Sequence, residues 1–380
     1  MKPTRRHAFK VLGLALAISS LSLPGVALAH DHGDDEDDGF RADKVFTSTN
    51  AVAGNELLVY ANTGSGLSLL SRLATLGQGT GTGLGNQGAV TLSRSGRHLF
   101  VVNTLSNSVS TFAIRRDGLV LQSTVDSGGL RPISVTEHDG IVYVLNANGA
   151  GNVMGFRNAD GTLKPLSNST QPLSAAGGTG AAQVGFSPEG DALLVTEKAT
   201  NKLTSYRVGD NGRIGAPVVS ASAGATPFGF AFDRRGHALV SEAFGGAANA
   251  SALSSYGFDE SAPANPILIS ASVGTTQTAA CWVVVTPNGR YAYVTNTGSG
   301  TISSYAVQPR SGKLALAQAV AATAGAGPID AAISADGRKL YVLNAGSHTI
   351  GAYAVGGDGG LTSAAGAAGL PAGANGLAAN

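Results

Sequence analysis

The sequence predicts an all-β, seven-bladed β-propeller whose ring is closed by its N- and C-terminal strands. Three observations carry this. A strand-turn-strand pattern recurs seven times, at spacings of 43 to 54 residues, a period of propeller blades rather than of shorter solenoid repeats. Glycine is abundant, 54 of 380 residues, which a helical protein would not tolerate because each interior Gly costs about 1 kcal/mol against Ala. The apolar runs are short, rich in Val, Leu, Tyr and Phe, and bounded by Gly-containing turns, as in a protein of many brief strands.

Residues 1–29 read as an export signal. Lys2, Arg5, Arg6 and Lys10 form a basic start, an apolar stretch runs from Val11 to Leu23, and Ala27-Leu28-Ala29 supplies small residues for cleavage. Ser19, Ser20 and Ser22 interrupt the stretch, which is short for a bilayer span. Arg5-Arg6 followed by Phe9-Lys10 is similar to a twin-arginine signal, with Phe9 one place late, so the ordinary export route stands beside it. The expected location is periplasmic or secreted, with no membrane span in the mature chain. The lone Cys281 excludes an internal disulfide.

Of 25 Lys+Arg and 24 Asp+Glu, residues 1–29 hold four basic and no acidic residues, so the mature chain carries 21 against 24, a net of −3. That balance argues against a nucleic-acid partner. Residues 30–43 are expected to form an acidic, disordered tail, since residues 30–38 are charged and lack apolar anchors. A sharper reading is metal capture: cleavage before His30 sets His32 third from a free amine. Amine, two amides and an imidazole make a square-planar set suited to Cu(II) or Ni(II). No other cofactor is required.

The propeller is expected over residues 44–380. Its clearest copies are residues 285–307 and 333–355; others begin at Leu92, Val135, Phe186 and Phe232, and a partial copy opens at Val45-Phe46. In each, a second strand ends in Asn or Glu: Asn50, Asn103, Asn146, Glu197, Glu242, Asn296 and Asn344. Ser95-Gly96, Asp139-Gly140, Glu189-Gly190, Arg235-Gly236, Asn288-Gly289 and Asp336-Gly337 fall between first and second strands, where tight hairpins need a positive φ. The first copy lacks an innermost strand. Ala374-Asn375-Gly376-Leu377-Ala378-Ala379 resembles Gly85-Asn86-Gln87-Gly88-Ala89-Val90, so residues 375–380 are expected to supply it and remove a sheet edge.

These copies resemble the lactonase-type seven-bladed propellers and the related YVTN repeat proteins; Tyr293-Val294-Thr295-Asn296 spells that signature, and the resemblance covers about residues 44–380. It implies the fold and, among several activities, lactone hydrolysis or lactonisation. The family's lactonases carry a His on an innermost strand, within a stretch matched here by Ala181-Ala182-Gln183-Val184-Gly185-Phe186-Ser187-Pro188-Glu189-Gly190. The His position is Ala182, which cannot move a proton; the acidic residue on the following strand is kept as Glu197.

In a propeller, the loops leading into innermost strands and those leaving second strands meet at one mouth of the channel, where a small ligand would bind. Glu197, Glu242, Asn103, Asn146, Asn296 and Asn344 are expected there, and Arg131, Gln183, Trp282 and Asp330 near the starts of innermost strands. For catalysis, Glu197 or Glu242 is the candidate base and Arg131 the candidate oxyanion partner. The other reading has the Asn and Glu side chains capping loops by bonding backbone amides, and Trp282 packing in the core. The functional expectation is a monomeric binding propeller holding a small polar molecule or a protein at the mouth without strong catalysis. The alternatives are a lactone hydrolase or lactonising enzyme, and a cell-envelope interaction protein.

Overall fold

The computed structural model describes residues 43–259 and 262–380, all within one unit, 38–380. The export signal, the acidic tail through residue 42 and the His30/His32 metal site lie outside the described residues. Seven antiparallel sheets follow one another along the chain, in the expected order. Their innermost strands, from blade 1 to blade 7, are Asn375–Ala379, Val90–Leu92, Leu130–His138, Ala181–Phe186, Pro227–Phe232, Ala280–Val285 and Pro328–Ile333.

Blade 1 takes its innermost strand from the C-terminus. Val45 pairs with Ala379 and Phe46 with Ala378. Ser48 Oγ donates to the Asn375 carbonyl at 2.8 Å, and Lys44 N to Asn380 Oδ1 at 2.6 Å. Leu377 then packs with Val45, Leu58 and Leu343 in one buried cluster.

The recurring tyrosines stitch neighbouring blades. Buried Tyr206 and Tyr305, on third strands, donate to carbonyls on the previous blade's outermost strand, Pro172 at 2.8 Å and Val273 at 2.7 Å. Tyr143 and Tyr293, on second strands, donate forward to Gly212 at 2.9 Å and Gly359 at 3.0 Å in the next blade's outer hairpin. Each ring fills an inter-blade gap while its hydroxyl keeps a partner, as a buried Tyr requires. Blade 3 departs from the four-strand plan: its outer edge is two short pieces, Thr162–Pro165 and Gln171–Pro172, both paired with Asn152–Ala159. Pro165 has no N–H for the ladder, which suits the end of an edge piece.

The innermost strands of blades 3 to 7 change register near their starts, for instance between Ala181 and Gln183 and between Ala280 and Trp282. Such bulges re-aim side chains. The skipped residues include Ile133, Ala182, Phe228, Cys281 and Ile329.

Candidate functional site

Of the Asn residues ending the second strands, Asn103 and Asn146 hold the loop that leads into their own blade, Asn296 and Asn344 bond the third strand of theirs, and Asn50 donates to the Thr82 carbonyl in the loop toward the next blade. Asn103 Oδ1 accepts from Thr75 Oγ1 at 2.7 Å, and Asn146 Oδ1 from Ser127 Oγ at 2.7 Å. The nitrogens of both amides are also used: Asn103 Nδ2 donates to Ser110 Oγ at 2.8 Å and Asn146 Nδ2 to Asn152 Oδ1 at 2.8 Å. Asn296 Nδ2 donates to Ser303 Oγ at 2.9 Å and Asn344 Nδ2 to Thr349 Oγ1 at 3.1 Å. All five Asn are buried. Gly77 shows how tight the clasp is: a Cβ there would lie 2.2 Å from Asn103 Cγ.

Glu197 and Glu242 occupy the same place in blades 4 and 5, and neither exposes any surface. Glu197 accepts from the Ser174 amide at 2.9 Å, the Ser174 hydroxyl, Thr200 Oγ1 at 2.8 Å and Thr204 Oγ1 at 2.6 Å. Glu242 accepts from the Gly224 amide at 2.8 Å, Ser254 Oγ at 2.5 Å and Ser272 Oγ at 2.6 Å. Their donors are amides and hydroxyls, and no ion pair joins Arg131 to either. The loop-capping arrangement is the one these contacts describe.

The mouth end of the channel is crossed by the chain itself. Residues 85–88, just before the innermost strand of blade 2, reach three other blades. Asn86 Nδ2 donates to the Ile133 carbonyl, and Gln87 N to the Ala182 carbonyl at 3.1 Å. Trp282 Nε1 donates to the Asn86 carbonyl at 2.6 Å, and Gln87 Nε2 to the Val283 carbonyl at 2.9 Å. Gly229 permits the crossing, since a Cβ there would lie 2.2 Å from Gln87 Oε1. Gln183 forms a second rung, donating to the Phe230 carbonyl at 2.9 Å and accepting from its amide at 2.6 Å. Buried Ala182, the position matched to the family's His, therefore lies under this segment.

Asp330 is placed apart from the other candidates. It is buried, accepts from the Ala331 and Leu377 amides at 2.8 and 3.0 Å, and so clasps blade 7 to the closing strand. Complete desolvation raises its carboxyl well above the usual carboxylate range, against the two amide bonds.

What the sequence reading missed is Lys198. It leaves the second strand of blade 4 directly after Glu197. Its ammonium donates to the Gly85 carbonyl and sits 4.5 Å from the centre of the Phe228 ring. Phe228 in turn packs on Trp282, ring centres 5.0 Å apart. Burial pushes the Lys198 pKa down to about 8, with nearby Cys281 opposing and Arg131 adding to the depression. Burial likewise raises the Cys281 thiol to about 11, far from a reactive thiolate. Among the described residues no carboxylate pairs with Lys198 or Arg131. A signal was present: the equivalent positions are Ala51, Thr104, Ala147, Ala243, Thr297 and Ala345, all small, so Lys198 is the one cation in that column.

A second feature lies further along the axis. A cavity of about 350 Å³ is lined by six of the seven innermost strands, beyond the Gln87 and Gln183 rungs. Among the described residues, no three His, Cys, Asp or Glu side chains converge as metal ligands would, and no helix is long and apolar enough to cross a membrane.

The sequence model of the family described as lactonase, 7-bladed beta-propeller, matches residues 53–171, 147–262 and 261–373. No curated protein matches the chain. Solved structures with the same fold include a protein from Lactobacillus plantarum, 19% identical, covering 89% of this chain and 99% of that one at a TM-score of 0.70. A Bacteroides uniformis protein provisionally called a 6-phosphogluconolactonase is 19% identical, covering 88% and 98% at 0.67. A periplasmic gluconolactonase of Pseudomonas aeruginosa is 19% identical, covering 88% and 98% at 0.65.

Proposed function

The chain belongs to the lactonase, seven-bladed β-propeller family, and from that premise we propose that it binds a small anionic or polar molecule at the channel mouth without strong catalysis. One observation carries the reading: the largely buried Lys198 ammonium has a backbone carbonyl and the Phe228 ring as its partners, and among the described residues no carboxylate pairs with it or with Arg131, whose charge adds to the depression of its pKa. A desolvated cation without a counter-charge is stabilised by a bound anion. Phe228 lies beside the Lys198 ammonium and packs on buried Trp282. Sugar acids and their phosphates are the first ligands to test, given what the family's relatives are named for.

Chemistry is disfavoured by the same site. A lactonase needs a base free to activate water. Ala182 offers none, residues 85–88 cover it, and both Glu carboxylates are buried with their oxygens engaged. Purified protein lacking residues 1–29 is expected to hydrolyse sugar lactones little or not at all. Turnover of about 1 s⁻¹ or faster, as in ordinary enzymes, that disappears in Glu197→Gln would overturn the reading.

A protein partner is the second reading, favoured by exposed apolar side chains on three loops and one strand start of the same face: Val52 at 51%, Leu76 at 76%, Leu105 at 48% and Leu130 at 53%. A crosslinked complex with a specific protein, lost on Leu76→Asp with Leu130→Asp, would favour it. We also infer export, from residues 1–29. Mass spectrometry of the mature protein should give His30 as its first residue; an intact 1–29 segment would refute this.

A further inference from the structure

The axial cavity lies at the other end of the channel from Lys198. Its walls come from the later halves of the innermost strands. Phe186, Phe232, Val285 and Ile333 each end their strand just before the first hairpin of a blade, so they form the lip on the hairpin face. Deeper in, Gly88, Gly185, Ala231 and Val284 line it, backed by Val135, Val184, Phe230 and Val283, whose side chains are buried between the blades. Phe230 and Phe232 meet edge to face with ring centres 5.7 Å apart, which holds both rings in fixed orientation. At the inner end stand the amides of Gln87 and Gln183, with the hydroxyls of Thr91 and Thr136 to the side.

We propose that this cavity is a second ligand site, for an uncharged molecule with an aromatic or branched apolar body and one hydrogen-bonding group, entering from the hairpin face. Size is the first argument. A volume of about 350 Å³ sits at the lower end of pockets that bury small molecules, and it is too small for a folded partner. Charge is the second. None of the residues lining it is ionisable, and a lone charge brought in without a counter-ion loses several kcal/mol of hydration.

Polarity is the third. Gln87 Nε2 and Gln183 Nε2 each donate one hydrogen to a backbone carbonyl, and a primary amide has two. One donor on each stays available at the inner end, where it would fix a ligand's carbonyl or hydroxyl. Apolar walls with a few convergent polar groups form the pattern of a recognition site, whereas a water conduit would want polar walls throughout. The site is independent of the mouth: the two Gln rungs stand between it and Lys198, and it needs no cation.

A matched pair of fluorescent probes tests it. N-phenyl-1-naphthylamine is neutral; 8-anilinonaphthalene-1-sulfonate has the same body with a sulfonate. The neutral probe should bind saturably, one per chain, at least about tenfold more tightly than the anion. Thr136→Trp fills the cavity and Val285→Asp places a charge on its half-buried lip; each should weaken the neutral probe by about tenfold or more. Circular dichroism melts identify any variant that has unfolded, and the other variant then decides. Unsaturable binding, equal binding of the two probes, or neutral-probe binding unchanged in a folded variant would overturn the proposal.

Discussion

Lys198 Nζ donates a hydrogen bond to the Gly85 carbonyl, so a cation from blade 4 fastens the segment leading into blade 2, past the intervening blade 3. That segment is the one that covers Ala182. The contact ties the mouth's free positive charge to the closure of the channel.

Anion binding at the mouth should therefore follow the charge on Lys198. Burial holds its pKa near 8. Below that pH the ammonium is charged and attracts an anion; above it the amine is neutral. Calorimetric titration with 6-phosphogluconate should give affinity that falls by about tenfold from pH 7 to pH 9. Lys198→Met should bind weakly with no such pH step. A pH profile identical in the variant and the parent would exclude Lys198 as the determinant.

Glu197 and Glu242 are expected to be stability residues. Each accepts the amide of the loop that leads into its blade, Ser174 for Glu197 and Gly224 for Glu242. Glu197→Ala and Glu242→Ala should each cost about 1–3 kcal/mol or more, since buried donors are left unsatisfied. Chemical denaturation measures this. Midpoints equal to the parent would show that the carboxylates are dispensable to the fold and return them to candidacy as functional groups.

The closing strand should matter to the whole ring. Deleting residues 374–380 removes the partner of Lys44–Ser48 and the buried Leu377 and Ala378. The melting temperature should fall by a few degrees, because losing a paired strand and buried side chains costs several kcal/mol and each kcal/mol shifts a chain of this size by about 1–2 °C. An unchanged melting temperature would mean that the strand's pairing adds nothing to stability.

Asp330 gives closure a pH dependence whose sign is fixed. Its pKa is raised in the folded state by complete desolvation. A raised carboxyl contributes stability that is fully present below the unfolded value, about 3.9. That contribution is lost as pH rises through the folded value. Asp330→Asn keeps an acceptor for one amide and has no proton to lose. Melting temperatures taken from pH 4 upward should show a decline in the parent that the variant lacks; parallel curves would rule it out.

The sequence by itself determined the ring. Seven copies of one strand pattern, six with a Gly turn and all with a closing Asn or Glu, leave little choice, because a blade cannot bury its faces alone and must stack on neighbours. It also determined closure: residues 375–379 repeat the start of another innermost strand, and a free edge beside Lys44–Ser48 would be costly. The absence of the family's His at Ala182 was equally legible, since it is a matter of identity at one aligned position. What the tertiary structure decided is which polar residues face solvent and which face each other. The placement of Glu197 and Glu242 at strand ends was readable, but their saturation by Ser174, Thr204, Ser254 and Ser272 depends on other strands and loops 7 to 30 residues away. The crossing of residues 85–88 joins positions 196 apart, Gln87 to Val283 and Asn86 to Trp282, and no local pattern encodes a contact made only once the ring has closed. Lys198 shows both sides of the division. Its singularity among small residues is written in the chain, while its depressed pKa and its tie to Gly85 arise from burial that only the assembled blades create.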